Sequence, residues 1–192
     1  MKNILICMVF VAVAFCATSA WATSQTVYVD ATVPTRTGGL TVSVSRITGG
    51  TWYSATVISF GTLVWDTVNQ IFLPASSTYY AVDIGVTDNT GGAWTVTHTR
   101  ASLVSGANNL DNKVNVTFNK QTSSTVGTQL SQYSFGNSNN KAFTKGTLLG
   151  GWLRIYYGVG TGDSADAPGV TPIGLDTPAG TYTGSVTITL TP

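Results

Sequence analysis

His98 is the only histidine in the chain, and it stands on the Trp94–Val96–His98 face of an alternating stretch. A catalytic histidine needs a carboxylate behind it and a nucleophile in front. No Gly-x-Ser-x-Gly elbow is present to supply that nucleophile, so His98 reads as an ordinary strand residue. All eight acidic residues are Asp. Asp30 and Asp83 fall in strand-like runs, while Asp66, Asp88, Asp111, Asp163, Asp166 and Asp176 fall in turn-like ones. Paired carboxylates can hydrolyse glycosides, but Asp in turns ordinarily accepts hydrogen bonds from its own backbone. Asp163 and Asp166 lie close enough to invite calcium, although their spacing is not that of an EF-hand loop. Trp52, Trp65, Trp94 and Trp152 lie in or beside strands, so they are core residues unless at least two rings share an exposed face suited to sugar stacking. Asn115-Val116-Thr117 matches a glycosylation acceptor. These residues predict a protein that is not an enzyme and that carries no cofactor.

The elements that would position them are built from unusual material. Of 192 residues only 9% are charged, Glu is absent, and Thr occurs 32 times beside 21 Gly. That composition disfavours helices and suits strands joined by tight turns. Net charge is +1, which excludes the basic excess of a nucleic-acid binder.

Met1-Lys2-Asn3, the apolar run Ile4–Ala17 and the small residues of Ala20-Trp21-Ala22 have the layout of a signal peptide, residues 1–22, cleaved after Ala22. An apolar run of about 14 residues is short for a bilayer span. Cleavage removes Cys7 and Cys16, and with them thiol catalysis and zinc sites of the Cys/His type. Lys2 leaves too, so eight basic residues face eight acidic ones. The expectation is an exported protein, at the cell surface or released, with no membrane span after cleavage.

Residues 23–192 read as one domain. Gln25–Val33 alternates, with Val27, Val29, Ala31 and Val33 on one face, and Pro34 ends it. Leu40, Val42 and Val44 open a second strand that closes at Gly49-Gly50. Tyr53–Trp65 gives one or two strands broken at Gly61. Tyr79–Thr87 places Tyr80, Val82, Ile84 and Val86 inward, and the turn signal Asp88–Gly92 predicts a hairpin with Ala93–Arg100. Val114, Val116 and Phe118 predict a strand with one wet face. Gln121–Lys145 is Ser/Asn/Thr-rich and shows no clear period. Gly151–Val159 is apolar on both faces apart from Arg154, as in a central strand. After the loop Gly160–Ala179, Tyr182, Gly184, Val186, Ile188 and Leu190 alternate with outward Thr and Ser. The expected fold is all-β: an antiparallel sandwich, immunoglobulin-like or pilin-like.

The ending Pro178-Ala179-Gly180-Thr181-Tyr182-Thr183-Gly184-Ser185-Val186-Thr187-Ile188-Thr189-Leu190 resembles the last strand of the spore coat protein U family, itself similar to archaic chaperone–usher pilins. Ser59-Phe60-Gly61-Thr62 resembles an early Phe-Gly element of such domains, although the cleaved chain lacks the family's cysteine pair. The resemblance implies a sandwich short of one strand, which a neighbour's N-terminal segment completes by β-augmentation. Residues 23–33 would then be the donor, with Val27, Val29, Ala31 and Val33 as plugs, and Tyr182, Val186, Ile188 and Leu190 would form the C-terminal core strand. The alternative is that 23–33 pairs within its own domain. The implied partners are other copies or related subunits, with a periplasmic chaperone and usher. The implied function is a structural subunit of a pilus, fibre or coat. The rival reading is a monomeric carbohydrate-binding or adhesin module.

Overall fold

A computed structural model describes residues 38–88, 91–127, 140–161 and 170–191, all within one compact unit, Arg36–Pro192. In chain order the strands are β1 (Gly38–Thr48), β2 (Thr51–Ala55), β3 (Leu63–Asp66), β4 (Ile71–Pro74), β5 (Tyr79–Asp88), β6 (Thr95–Arg100), β7 (Val104–Ser105), β8 (Asn108–Asn109), β9 (Val114–Gln121), β10 (Asn140–Thr144), β11 (Trp152–Val159) and β12 (Val186–Thr191). They form a five-stranded sheet, β2-β1-β5-β11-β9, a three-stranded sheet, β10-β6-β12, and the two small pairs β3-β4 and β7-β8. Every pairing between these strands is antiparallel. The all-β, sandwich-like class expected from composition is the observed one.

Local chemistry explains several joints. Thr48 pairs with Thr51, leaving Gly49 and Gly50 as a two-residue loop with φ of 56° and 80°. Two successive positive φ values are what a type I′ hairpin turn demands, and glycine meets them without a Cβ clash. The β3–β4 turn instead uses Asp66. Its carboxylate accepts from the backbone N–H of Val68 at 2.9 Å and from the Asn69 amide at 2.7 Å. The Asn69 side-chain bond, then the Val68 and Asn69 backbone bonds, hold the Asp66 pKa below its ordinary 3.8. A carboxylate with a lowered pKa contributes above its unfolded value and loses that contribution as pH falls through the folded one. Protection of the Val68 and Asn69 amides, measured against their intrinsic exchange rates, should therefore fall as the pH drops below 3.8. An Asp66→Ala variant should exchange fast throughout; equal pH profiles in the two proteins would refute this role.

The core lies between the two large sheets. Tyr80, Val82 and Ile84 of β5, Leu153, Ile155 and Tyr157 of β11, Val114 and Val116 of β9, Val96 of β6 and Phe143 of β10 form one buried cluster. Phe60 closes one side of it, edge-on to Tyr80 at 5.6 Å, with the Tyr80 hydroxyl donating to the Ser59 carbonyl. A second cluster at one end joins Leu110, Val159 and Ile173, and Phe72 of β4 donates its N–H to the Ile173 carbonyl.

Three expectations need correction. Tyr79–Thr87 and Ala93–Arg100 do not form a hairpin: β5 pairs with β1 and β11, while β6 pairs with β10 and β12. The chain passes from one sheet to the other between β5 and β6, and the inward faces of both strands are buried from opposite sides of the core. The supposedly wet face of β9 is covered, with Asn115 and Thr117 as buried as the valines beside them. The last strand is regular only from Val186. Before it, Thr183 still pairs with Val104, but the Ser102 carbonyl would lie 2.7 Å from any Cβ at Gly184. The backbones approach too closely there for an uninterrupted ladder. By contrast β11 is flanked on both edges and buried on both faces, as its sequence predicts.

Candidate functional site

Five strands face three, and the ring contacts fix which strand opposes which. Phe143 of β10 packs on Phe118 of β9 with ring centroids 5.4 Å apart. His98 of β6 meets Tyr157 of β11, Nε2 to hydroxyl, at 2.8 Å. Continuing the order of both sheets, β12 lies over β5, and no described strand lies opposite β1 and β2. Exposure bears this out. Val42 and Ile84 are register partners on the same inward face, yet Val42 is 47% exposed and Ile84 0%. Tyr53, on the inward face of β2, is 46% exposed and carries Arg46 over its ring at 5.1 Å.

The uncovered strip is apolar and bordered by a strand edge. Leu40, Val42 and Val44 line it on β1; Val186, Ile188 and Leu190 of β12 are only half-buried beside it. Among the described strands β12 pairs with β6 alone, and no described strand lies along its other edge. An edge of backbone donors and acceptors beside an apolar floor suits an added extended segment. Of the C-terminal residues singled out by sequence, Val186, Ile188 and Leu190 border the strip. Tyr182 does not: it packs on the end cluster, and its hydroxyl donates to the Pro178 carbonyl at 2.7 Å. The plugs Val27, Val29, Ala31 and Val33 lie outside the described residues, as do residues 1–22.

The polar groups in the interior are structural. His98 is fully buried between the sheets, edge-on to Phe118 at 5.0 Å and bonded to Tyr157. Burial pushes the Tyr157 hydroxyl pKa up, against the opposing pull of Arg100. Burial likewise lowers the Arg100 guanidinium, which Asp111 partly offsets. Among the described residues Arg154 is the largest fully buried side chain, and its partner was not legible in the sequence. Its Nε and Nη2 donate to the two carboxylate oxygens of Asp83 at 2.8 and 2.9 Å, a bidentate pair. Nη2 also donates to the Thr125 carbonyl, and the Thr125 hydroxyl donates to Asp83 at 2.8 Å. The Trp52 ring lies 4.7 Å from the guanidinium. Burial works against the charged form, but the Asp83 and Tyr156 hydrogen bonds and charges carry the Arg154 pKa above its ordinary value. One clue was legible: both residues interrupt otherwise apolar strands, and a charge in such a place needs a partner.

Among the described residues no group of three or more His, Cys or Asp side chains could hold a metal ion, and no helix is long and apolar enough to cross a membrane. Asp30, Asp163 and Asp166, the last two being the calcium candidates, lie outside the described residues. Trp94 is core; Trp65 packs against Phe72 at 4.9 Å; Trp52 and Trp152 are half-buried on the outer face of the large sheet. Asn115 is 6% exposed, which shields it from modification at the acceptor motif. No family model matches the chain, and no curated protein or solved structure is significantly similar to it.

Proposed function

We propose that the protein is an exported structural subunit of a pilus, fibre or coat, assembled by strand complementation between copies. The observation that supports this reading is the half-exposed apolar strip between β1 and the edge of β12 along which no described strand lies. Residues 23–33 of a neighbouring copy have the matching form. Val27, Val29, Ala31 and Val33 share one face at a spacing of about 6.6–6.8 Å, the pitch of alternate residues on a strand. They would enter over Leu40, Val42 and Val44 while their backbone bonds to β12. Affinity then comes from the ladder and specificity from the plugs. The Thr-rich outer positions of β6 and β12 give the polymer a neutral, hydrated surface. Export through a signal peptide, and delivery by a chaperone and usher, accompany this reading as further parts of the proposal.

Negative-stain imaging of the natively secreted protein tests it. Polymers are expected, and deletion of Thr23–Thr32 should abolish them while leaving a soluble monomer prone to aggregate. Polymers unchanged by the deletion, or a native protein that is monomeric at all concentrations, would sink the proposal.

A further inference from the structure

We infer that Lys120 and Lys141 are gatekeepers, which stop a second copy of the chain from adding a strand to the β9–β10 side of the molecule. β9 and β10 are each the outermost described strand of a sheet. They lie on the same side, since Phe118 of β9 packs on Phe143 of β10. The backbone groups along an outermost strand are a template that another chain can pair with. β10 is open to such pairing, with four of its five residues exposed.

Both lysines stand on the core-facing side of their strands, where alternation calls for an apolar residue. Lys120 follows Val116 and Phe118 at alternate positions, and its register partner is the buried Leu153. Lys141 lies two residues before the buried Phe143 and is in register with the buried His98. Both lysines are nevertheless exposed. The Lys141 ammonium lies 5.6 and 5.7 Å from the Phe118 and Phe143 ring centres. Its stem covers the seam between the sheets while its charge stays in water. A strand added to either edge would bring its own core-facing side chains within about 4.5–5.5 Å, Cβ to Cβ. Water would then be stripped from the ammonium groups, and neither strand contains an acidic residue to compensate them. A second copy arriving by the same edge sets lysine against lysine. Core-facing charge on an outermost strand is a known defence against such pairing.

The other two edges make the contrast. At β2 the neighbouring strand supplies the cation: Arg46 of β1 is exposed, with its guanidinium 5.1 Å from the Tyr53 ring centre. β12 carries Val186, Ile188 and Leu190 towards the core, and no charged residue occurs from Thr177 to Pro192. The role of Lys120 and Lys141 makes no use of the β12 edge, and its failure would leave the assembly proposal standing.

The test compares the whole secreted protein with the double variant Lys120→Thr, Lys141→Thr by sedimentation velocity and negative-stain imaging. Thr is a good strand former, so the melting midpoint should hold. Side-to-side association should tighten at least about tenfold once no ammonium group has to be dehydrated, giving paired or bundled particles where the parent gives single ones. Loss of colloidal repulsion cannot account for that result. The variant leaves residues 23–192 with six basic residues against eight acidic, further from neutrality than the parent. Replacing both lysines with Glu should leave the protein unassociated, because a carboxylate is also costly to bury. Hydrogen exchange locates the contact: in the associated Thr variant, amides of 118–121 and 140–144 should gain protection. If the double variant unfolds, Lys120→Thr and Lys141→Thr are compared singly, each with a smaller rise in association expected. The inference is overturned if the folded Thr variants sediment as the parent does, if the Glu variant associates equally, or if the added protection falls on other strands.

Discussion

Replacing Asp83 with Asn is expected to lower the unfolding free energy by about 3–5 kcal/mol, the cost of leaving a buried charge without its partner. Arg154 and Asp83 have side-chain exposures of 0% and 1% and meet at 2.8 Å. Asn keeps the volume of Asp but turns an amide N–H₂ towards guanidinium donors, so Arg154 is left both uncompensated and crowded. Because Thr125 bonds to both members, the loss should also release the 122–127 segment from the sheet. Urea denaturation reads the effect as a fall in midpoint at constant slope. The double variant Asp83→Leu with Arg154→Met provides the control: removing both charges restores most or all of the stability, since an apolar pair of similar volume avoids the desolvation cost. A loss below about 1 kcal/mol in the single variant would mean that water reaches the guanidinium, because only solvated pairs are worth so little.

The second large effect is a contrast between neighbours. Ile84→Ala should cost about 2–5 kcal/mol, as for other fully buried aliphatic truncations. Val42→Ala, one strand away on the same face and in direct register, should cost less than about 1 kcal/mol in the isolated subunit, because nearly half of Val42 is already in water. In the proposed polymer the ranking should change: Val42 would lie under the incoming plugs, and its truncation should lower the temperature at which polymers dissociate, while Ile84→Ala should act mainly on the subunit itself. Equal costs at the two positions in the isolated subunit would show that some other part of the chain covers the strip.

Local pattern carried much of the fold. The inward set Tyr80, Val82 and Ile84 was legible because alternate residues of a strand point to opposite faces, and only one of these faces was apolar. Gly49-Gly50 was legible as a turn because few residues tolerate two successive positive φ values. The double-sided burial of β11 was legible in its unbroken apolar run. Misreadings arose where the answer depended on a distant partner. Asp88–Gly92 signalled a turn but not whether the chain would double back in the same sheet or cross to the other. Asn115 and Thr117 looked wet because polar residues usually are, yet both are shielded from solvent.

The sequence by itself therefore determined the class: strands rather than helices, mostly one apolar face each, Thr on the other, and few groups suited to catalysis. These follow from propensities and periods that act over a few residues. Only the tertiary structure decided that β5 and β6 part company, that Arg154 closes on Asp83, that Tyr182 leaves the line of Val186, Ile188 and Leu190, and that no described strand lies opposite β1. Each of those depends on which faces meet across long stretches of chain. The alternation that marks a face as apolar is the same whether that face is covered or left open.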